Sequence, residues 1–278
     1  MSNLGARVLV AVIAIPLIIA ACYLGGPFFF IFTTALIILS LNEFYGLARK
    51  KGLEPAASVG LAAAALLNAV VYAYGFKGVT DFLILAIGFI LLFELGKKRD
   101  EKVSGTFENA GTTIAGLVYV GLFGSLLTAL RERYGIETVF LTDREAGLFI
   151  ISVLATIWIC DSAAYFFGRA IGRHKMSRLV SPNKTWEGAI FGFAFAVGTS
   201  VLTKYLLLPN LEIKMALGMG TIVGTLGQAG DFIESLFKRD VGAKDSSALI
   251  PGHGGVFDRF DSLLFSAPFI YLMLKHLR

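Results

Sequence analysis

Long apolar runs recur along the whole chain and are separated by short polar connections. Most runs are close to the ~20 residues that a helix needs to cross the ~30 Å hydrocarbon core of a bilayer. The runs at 82–95 and 261–275 are shorter, so either could instead be a re-entrant or partly buried segment. The pattern predicts an all-α, polytopic membrane bundle of eight or nine transmembrane helices, with nine as the working number. The nine runs are residues 8–24, 28–47, 57–76, 82–95, 110–130, 146–168, 187–208, 215–237 and 261–275.

Composition supports a membrane protein. Of the 278 residues, 56% are hydrophobic and 16% are charged, against roughly 45–50% and about 25% in soluble domains. The mean hydropathy of +0.73 excludes a soluble enzyme, a disordered chain and a coiled coil. The net charge of +5 is mild and does not indicate nucleic-acid binding. Cys22 and Cys160 both lie in apolar runs, so no disulfide framework or CxxC metal site is expected.

The distribution of Lys and Arg predicts the orientation. With nine spans, about two-thirds of these residues fall on the side of the N-terminus, which is therefore expected to be cytoplasmic. The first run resembles a signal peptide, but a retained helix is expected because another apolar run follows at once. We expect residues 1–140 (N-terminal helices) and 141–278 (C-terminal catalytic region) to form one continuous domain in a bacterial-type inner membrane. The spacing of Gly220 and Gly224 favours close helix contact.

Acidic residues in and beside the apolar runs carry the functional signal. Asp161 interrupts the sixth run and Asp231 the eighth, and a charge there costs at least a few kcal/mol unless it faces a polar interior. Asp258 and Asp261 lie where the ninth run begins, and they share a helix face if that helix starts early enough. Asp231 and Ser235 are four residues apart and also share a face. We expect the four aspartates to converge just below the cytoplasmic surface. The alternative is structural pairing with Lys or Arg.

Two basic loops on the same side, at 169–186 and 238–260, complete the candidate site. The first loop leads into a helix, where hydroxyl and amide groups beside a lysine suit a phosphate group. The second mixes cations and carboxylates with glycines, a combination that suits a metal-bound polyphosphate. The alternative for basic loops is a role in topology or in anionic-lipid contact, and for His253 a hydrogen bond within the loop. Glu43, Glu94 and Glu187 lie near run ends, where water is expected to reach them.

The segment from Ser235 to Asp261 reads S-x-x-K-R-x4-K-D-x7-H-G-G-x-x-D-R-x-D. This pattern resembles the signature of phosphatidate cytidylyltransferases (CDP-diacylglycerol synthases). The upstream stretch from Asp161 through residues 181–188 is also similar to a recurrent segment of that family. The resemblance covers the C-terminal 120 residues well, whereas the first 140 match only as a set of hydrophobic spans.

The resemblance implies an integral membrane nucleotidyltransferase that converts CTP and phosphatidic acid to CDP-diacylglycerol and pyrophosphate, with the active site facing the cytoplasm. It also implies Mg²⁺ dependence and a homodimer, and four carboxylates leave room for a second cation. The hypothesis is in-line attack of the phosphatidate oxygen on the α-phosphorus of CTP. The assigned catalytic residues are Asp231, Asp258, Asp261 and Lys184. The assigned metal ligands are Asp231, Asp258, Asp261 and Asp161. The assigned substrate-binding residues are Ser181, Asn183, Thr185, Lys238, Arg239, Lys244, His253 and Arg259.

Three other functions stay open on the sequence alone. A CTP-dependent lipid kinase, acting on a polyprenol or a diacylglycerol, would use the same type of site but transfer the γ-phosphate. An ion-coupled transporter would also place carboxylates within the membrane. The position of the acids toward one face and the lack of a visible inverted repeat disfavour a transporter. A purely structural membrane subunit gives no reason for the second basic loop.

Overall fold

The computed structural model describes residues 3–97, 105–132, 142–250 and 252–276. Within these ranges the chain is almost entirely helical. Each of the nine predicted apolar runs lies inside a helix or a continuous helical stretch, apart from the last residue of the run 187–208. The first half of the chain forms α1 (Asn3–Leu24), α2 (Gly26–Lys50), α3 (Ala57–Tyr74), α4 (Val79–Gly96), α5 (Thr106–Gly116) and α6 (Phe123–Glu132).

The second half adds five helices and a short hairpin. The elements are α7 (Asp143–Ile171), β1 (Lys175–Ser177), β2 (Ser181–Thr185), α8 (Trp186–Leu207), α9 (Ile213–Ile222), α10 (Gln228–Asp240) and α11 (Phe257–His276). The two strands pair antiparallel, with Ser177 opposite Ser181, inside the basic loop at 169–186. The strands are short and mostly polar, so they lack the apolar alternation by which a strand is predicted.

Short segments of non-α geometry join several of these helices into continuous stretches. A 3₁₀ turn at Gly75–Gly78 links α3 to α4, and Gly75 supplies the positive φ of 65° that begins it. The π-helical segments Leu117–Leu122 and Val223–Gly227 link α5 to α6 and α9 to α10. A π segment rotates the turns that follow it and is frequent near functional sites. The second one therefore sets the rotation of α10, which carries Asp231.

The chain is a multi-pass membrane protein. Five of its described helical stretches are long and apolar enough to cross a bilayer. They are Gly26–Lys50, Ala57–Gly96, Thr106–Glu132, Asp143–Ile171 and Trp186–Leu207. Val10–Leu24 is a shorter apolar helix. The two short apolar runs lie within longer helices, α4 with 18 residues and α11 with 20.

Glycines let the helices around the site approach closely. The expected contact at Gly220 and Gly224 is present, because both face α8, and a Cβ at Gly224 would lie 2.9 Å from Phe193 Cα. Gly188 brings α8 equally near α7, since a Cβ there would lie 2.6 Å from the carbonyl oxygen of Ala164. Backbone contact of this kind is typical of helix packing in membranes.

A buried arginine connects three helices away from the site. Arg131 of α6 is fully buried, and its Nε donates to the carbonyl oxygen of Cys22 at 2.7 Å. Its Nη1 donates to Asp143 Oδ1 at 2.6 Å. One side chain thus ties α6 to the end of α1 and to the beginning of α7, and its charge is compensated where it is buried.

Candidate active site

A cavity of about 1140 Å³ lies among α1, α7, α10, α11 and the β hairpin. Its apolar lining comes mainly from α1 and α7 and includes Val10, Ala14, Ile18, Ile157 and Trp158. Its polar lining comprises Asp161, Tyr165, Arg169, Lys175, Asn183, Lys184, Thr185, Gln228, Asp231, Lys238, Asp245, His253, Asp258, Arg259, Asp261 and Ser262. The four aspartates that were expected to converge therefore line one cavity.

Three carboxylates come together between α10 and α11. Asp231 and Glu234 lie one turn apart on α10, and one oxygen of each is within 4.8 Å of the other and of an Asp261 oxygen. Glu234 is fully buried, and its Oε1 has no hydrogen-bond donor within the described part of the chain. Carboxylates so close repel one another unless a cation or a proton neutralises them. Oxygen ligands of this kind suit Mg²⁺ or Ca²⁺.

Lys184 stands beside this carboxylate group. Its Nζ lies 2.6 Å from Asp231 Oδ2 and 4.3 Å from the centre of the Phe232 ring. The next residue, Thr185, is the N-cap of α8 and accepts a hydrogen bond from the Gly188 amide at 3.2 Å. Because β2 runs directly into α8, the cap fixes the position of the lysine over the cavity. Both members of the ion pair are about one-third exposed, so a substrate phosphate can compete with Asp231 for Lys184.

Asp258 organises the loop between α10 and α11 (residues 241–256, the signature loop). Its Oδ1 lies 2.6 Å from Lys238 Nζ, which also pairs with Glu234. Its Oδ2 accepts hydrogen bonds from the Ser246 amide, the Ser246 hydroxyl and the Gly255 amide, at 2.9, 2.7 and 2.7 Å. Burial acts to raise the pKa of the Asp258 carboxyl, but the hydrogen bonds that it receives outweigh burial and hold the pKa well below its ordinary value.

A second cavity, of about 570 Å³, lies on the signature loop itself. Its lining includes the cationic side chains Lys244 and Arg259, with His253 beside them. Arg259 and His253 also line the larger cavity, so the two spaces share a wall. His253 Nδ1 is buried and has no hydrogen-bond partner among the described residues. The shared wall thus offers donors and positive charge to an anionic group on either side.

Two of the predicted substrate-binding residues line neither cavity. Ser181 lies in β2, opposite Ser177. Arg239 donates to the carbonyl oxygens of Val180 and Ala243, at 3.2 and 2.8 Å, and so joins the hairpin to the signature loop. A role for either in substrate binding stays a prediction.

The glutamates that were expected to reach water divide into two groups. For Glu43 and Glu94 the expectation is wrong, because their side chains are buried in the bundle, with 5% and 1% of their surface exposed. Glu187 is partly exposed at the start of α8 and pairs with His174 at 2.6 Å. Glu234 is a member of the carboxylate group that was not predicted from the sequence. Its spacing of three residues from Asp231 on one helix was the available signal.

Fold and site together define a class of protein. The molecule is a multi-pass helical membrane protein whose cavity joins an apolar wall to a group of carboxylates and cations. Such a cavity is suited to a substrate that has both an apolar part and phosphate groups.

The chain belongs to the cytidylyltransferase family, whose sequence model matches residues 5–277, and it is thus a nucleotidyltransferase. Several bacterial proteins named phosphatidate cytidylyltransferase are similar to it over nearly their whole length. The one from Synechocystis sp. is 35% identical over 285 residues, which cover 95% of this chain and 94% of the relative. The one from Staphylococcus haemolyticus is 30% identical over 271 residues, covering 96% and 98%. The match extends the resemblance of the C-terminal signature to the N-terminal helices.

Proposed function

We propose that the chain is a phosphatidate cytidylyltransferase, which converts CTP and phosphatidic acid to CDP-diacylglycerol and pyrophosphate. One observation carries the proposal beyond the family: a single cavity has an apolar wall from α1 and α7 and a lining of carboxylates and cations. A phospholipid has the matching two parts, with acyl chains for the apolar wall and a phosphate for the charged lining. A soluble nucleotide substrate alone gives no reason for the apolar wall.

A magnesium ion fits the carboxylate group on chemical grounds. Asp231, Glu234 and Asp261 would hold it, because their oxygens converge and Glu234 Oε1 otherwise lacks a donor. Asp161 lines the same cavity and is a further candidate ligand of the ion, although it is not among the three converging carboxylates. Asp258 already receives hydrogen bonds at both oxygens, so its role as a ligand stays a prediction, as does a second cation. When bound, the ion supplies positive charge to the phosphates of CTP.

The remaining side chains would position the reacting groups. Lys184, Arg259 and His253 can bind phosphate oxygens, and Lys244 can bind the pyrophosphate end from the second cavity. A phosphatidate oxygen attacks the α-phosphorus of CTP, and the bond from that phosphorus to the bridging oxygen of the β-phosphate breaks. The phosphate monoester is already largely ionised near pH 7, since its second pKa is about 6, so a strong general base is not needed.

The membrane arrangement is part of the proposal. We propose nine crossings with a cytoplasmic N-terminus in the bacterial inner membrane, because the basic loops fall on one side. This orientation would place the cavity where CTP is available. A homodimer is proposed on the resemblance to the family.

The test is pyrophosphate release by the purified protein in detergent with CTP, phosphatidic acid and Mg²⁺, with each component omitted in turn. We expect release that needs all three, together with a liponucleotide product. Asp231→Asn should lower turnover by at least about 100-fold, since it removes a ligand of the proposed magnesium ion and the partner of Lys184. Asp240→Asn is the matched control, because Asp240 lies on the same helix but outside both cavities.

Other outcomes would contradict the proposal in different ways. CDP without pyrophosphate, when a lipid alcohol replaces phosphatidic acid, would identify a CTP-dependent lipid kinase. Solute or ion uptake by proteoliposomes without any nucleotide product would identify a transporter. Full activity of Asp231→Asn would leave the reaction in place but remove the carboxylate group from it.

A further inference from the structure

We infer that Glu43, a buried residue of α2 outside the family signature, is a positioning residue for the transfer reaction, because its carboxylate holds the signature loop in place. The inference rests on the proposed function for its kinetic test. Glu43 belongs to the N-terminal half of the chain. Among the described contacts, no other carboxylate from that half contacts the signature loop.

The Glu43 carboxylate receives four hydrogen bonds from the loop and the start of α11. Its Oε1 accepts from the Ser247 hydroxyl at 2.6 Å and from the Val256 amide at 3.0 Å. Its Oε2 accepts from the Ser246 hydroxyl at 2.9 Å and from the Phe257 amide at 2.8 Å. The partners lie more than 200 residues away in the sequence. The side chain therefore fixes a long-range tertiary contact.

The chemistry of these partners explains how a carboxylate can be buried there. Among the described residues, its hydrogen-bond partners are amides and hydroxyls instead of lysine or arginine. The amides of Val256 and Phe257 lie at the N-terminus of α11, where free N–H groups and the helix dipole favour a negative charge. Hydrogen bonds to an ionised acceptor are roughly twice as strong as neutral ones. Glu43 thus replaces water as the acceptor for the middle of the signature loop and for the start of α11.

The contact reaches the active site through Asp258. The Ser246 hydroxyl lies between Glu43 Oε2 and Asp258 Oδ2, at 2.9 and 2.7 Å, and its single proton can be donated to only one of them at a time. Three consecutive backbone amides also donate to these two carboxylates: Gly255 donates to Asp258, whereas Val256 and Phe257 donate to Glu43. A shift of the Glu43 carboxylate must therefore move the donors of Asp258.

The signature loop packs closely against the Glu43 carboxylate at Gly255. A Cβ at Gly255 would overlap both the Ser246 hydroxyl and the Glu43 carboxylate. Arg259 directly follows Asp258 in the chain and lines both cavities. Loss of the carboxylate would therefore displace charged groups at the wall that the two cavities share.

Glu43→Gln is the decisive variant, because it keeps the shape and places an NH₂ group against donors. We expect kcat to fall by about 10- to 100-fold, the usual cost of removing a group that orients a site residue. The comparison is made per folded protein and well below the melting temperature. Glu43→Asp, which keeps the charge, should recover part of the loss. Glu94→Gln is the matched control, because Glu94 is also a buried glutamate but contacts Lys97 instead of the loop, and its kcat should stay near that of the wild type.

Hydrogen exchange gives a second readout that does not need activity. The amides of residues 255–257 should lose protection in Glu43→Gln and keep it in Glu94→Gln. Unchanged kcat and unchanged protection in folded Glu43→Gln would overturn the inference. If the wild type itself released no pyrophosphate, the proposed function would fail, and the exchange result would still decide the role of Glu43 in the loop. If Glu43→Gln did not fold, Ser247→Ala would test the same contact, with a smaller loss expected in both measurements.

Discussion

Lys238 lies between two buried carboxylates, and replacing it with methionine tests whether its main partner is the protein or the substrate. Its Nζ lies 2.5 Å from Glu234 and 2.6 Å from Asp258. The lysine side chain is 11% exposed and the two carboxylates 0% and 3%, so water screens these pairs weakly. Removing one member of a buried ion pair costs about 3–5 kcal/mol, because the other charge is left uncompensated. Since two carboxylates lose their cation here, we expect Lys238→Met to lower the free energy of unfolding by at least about 3 kcal/mol.

Thermal unfolding of the purified protein in detergent is the assay. One kcal/mol corresponds to a shift of roughly 2–4 °C in a chain of about this size, so the melting temperature should fall by about 6 °C or more. Lys51→Met is the matched control, because its pair with Asp240 is half exposed and should contribute only about 0–1 kcal/mol. Adding Glu234→Gln to Lys238→Met should recover part of the loss.

One result would refute this reasoning. If Lys238→Met melted within a degree or two of Lys51→Met while its KM for CTP rose, the lysine would be a phosphate ligand and its pairs in the free protein would contribute little. A lower melting temperature with an unchanged KM would instead assign Lys238 to the structure of the site.

Two further predictions concern stability. Arg131→Met should lower the free energy of unfolding by about 1–3 kcal/mol, because it leaves the buried Cys22 carbonyl and two further acceptors without their donor. The kcat per folded protein should not change, and a large fall in kcat at low temperature would contradict this. Because hydrogen bonds hold the pKa of Asp258 below its unfolded value of about 3.9, its ionised form stabilises the fold above about pH 4, and this contribution is lost as the pH falls further. The stability difference between wild type and Asp258→Asn should therefore shrink from pH 6 to pH 3.5, and a constant difference would show that the titration of Asp258 is not linked to folding.

The helices could be predicted from the sequence because their signal is local. Each apolar run is long enough to specify a helix by itself, and the runs coincide with helices throughout the described chain. The same holds for contacts within one turn. The expected neighbours Asp231 and Ser235 are in contact, with the serine hydroxyl 3.4 Å from the carboxylate. α11 begins at Phe257, early enough to include Asp258 and Asp261 on one helix.

The parts that could not be predicted depend on tertiary contacts. Glu43 lies at the end of an apolar run, where a glutamate ordinarily reaches water, and nothing near it in the sequence indicates partners in the signature loop. Asp258 and Asp261 share a helix and both face α10, yet Asp258 contacts Lys238 and the signature loop. Asp261 instead lies beside Asp231 and Glu234. Helical spacing shows which side chains are neighbours on one helix but not which element packs against that helix.

The N-terminal helices complete a site that the signature alone leaves open. The signature supplies Lys244, His253, Arg259 and Asp261, whereas Lys184 comes from the β hairpin and the other two clustered carboxylates precede the signature on α10. The apolar wall includes α1, and the acceptor for the loop is Glu43 of α2. Lys51 at the end of α2 also contacts Asp240 at the end of α10. A lipid substrate requires such an arrangement, because its head group reacts among charges while its chains need an apolar surface close by. The C-terminal half of the chain therefore supplies the charged groups, and the N-terminal helices add apolar surface and hold the signature loop in place.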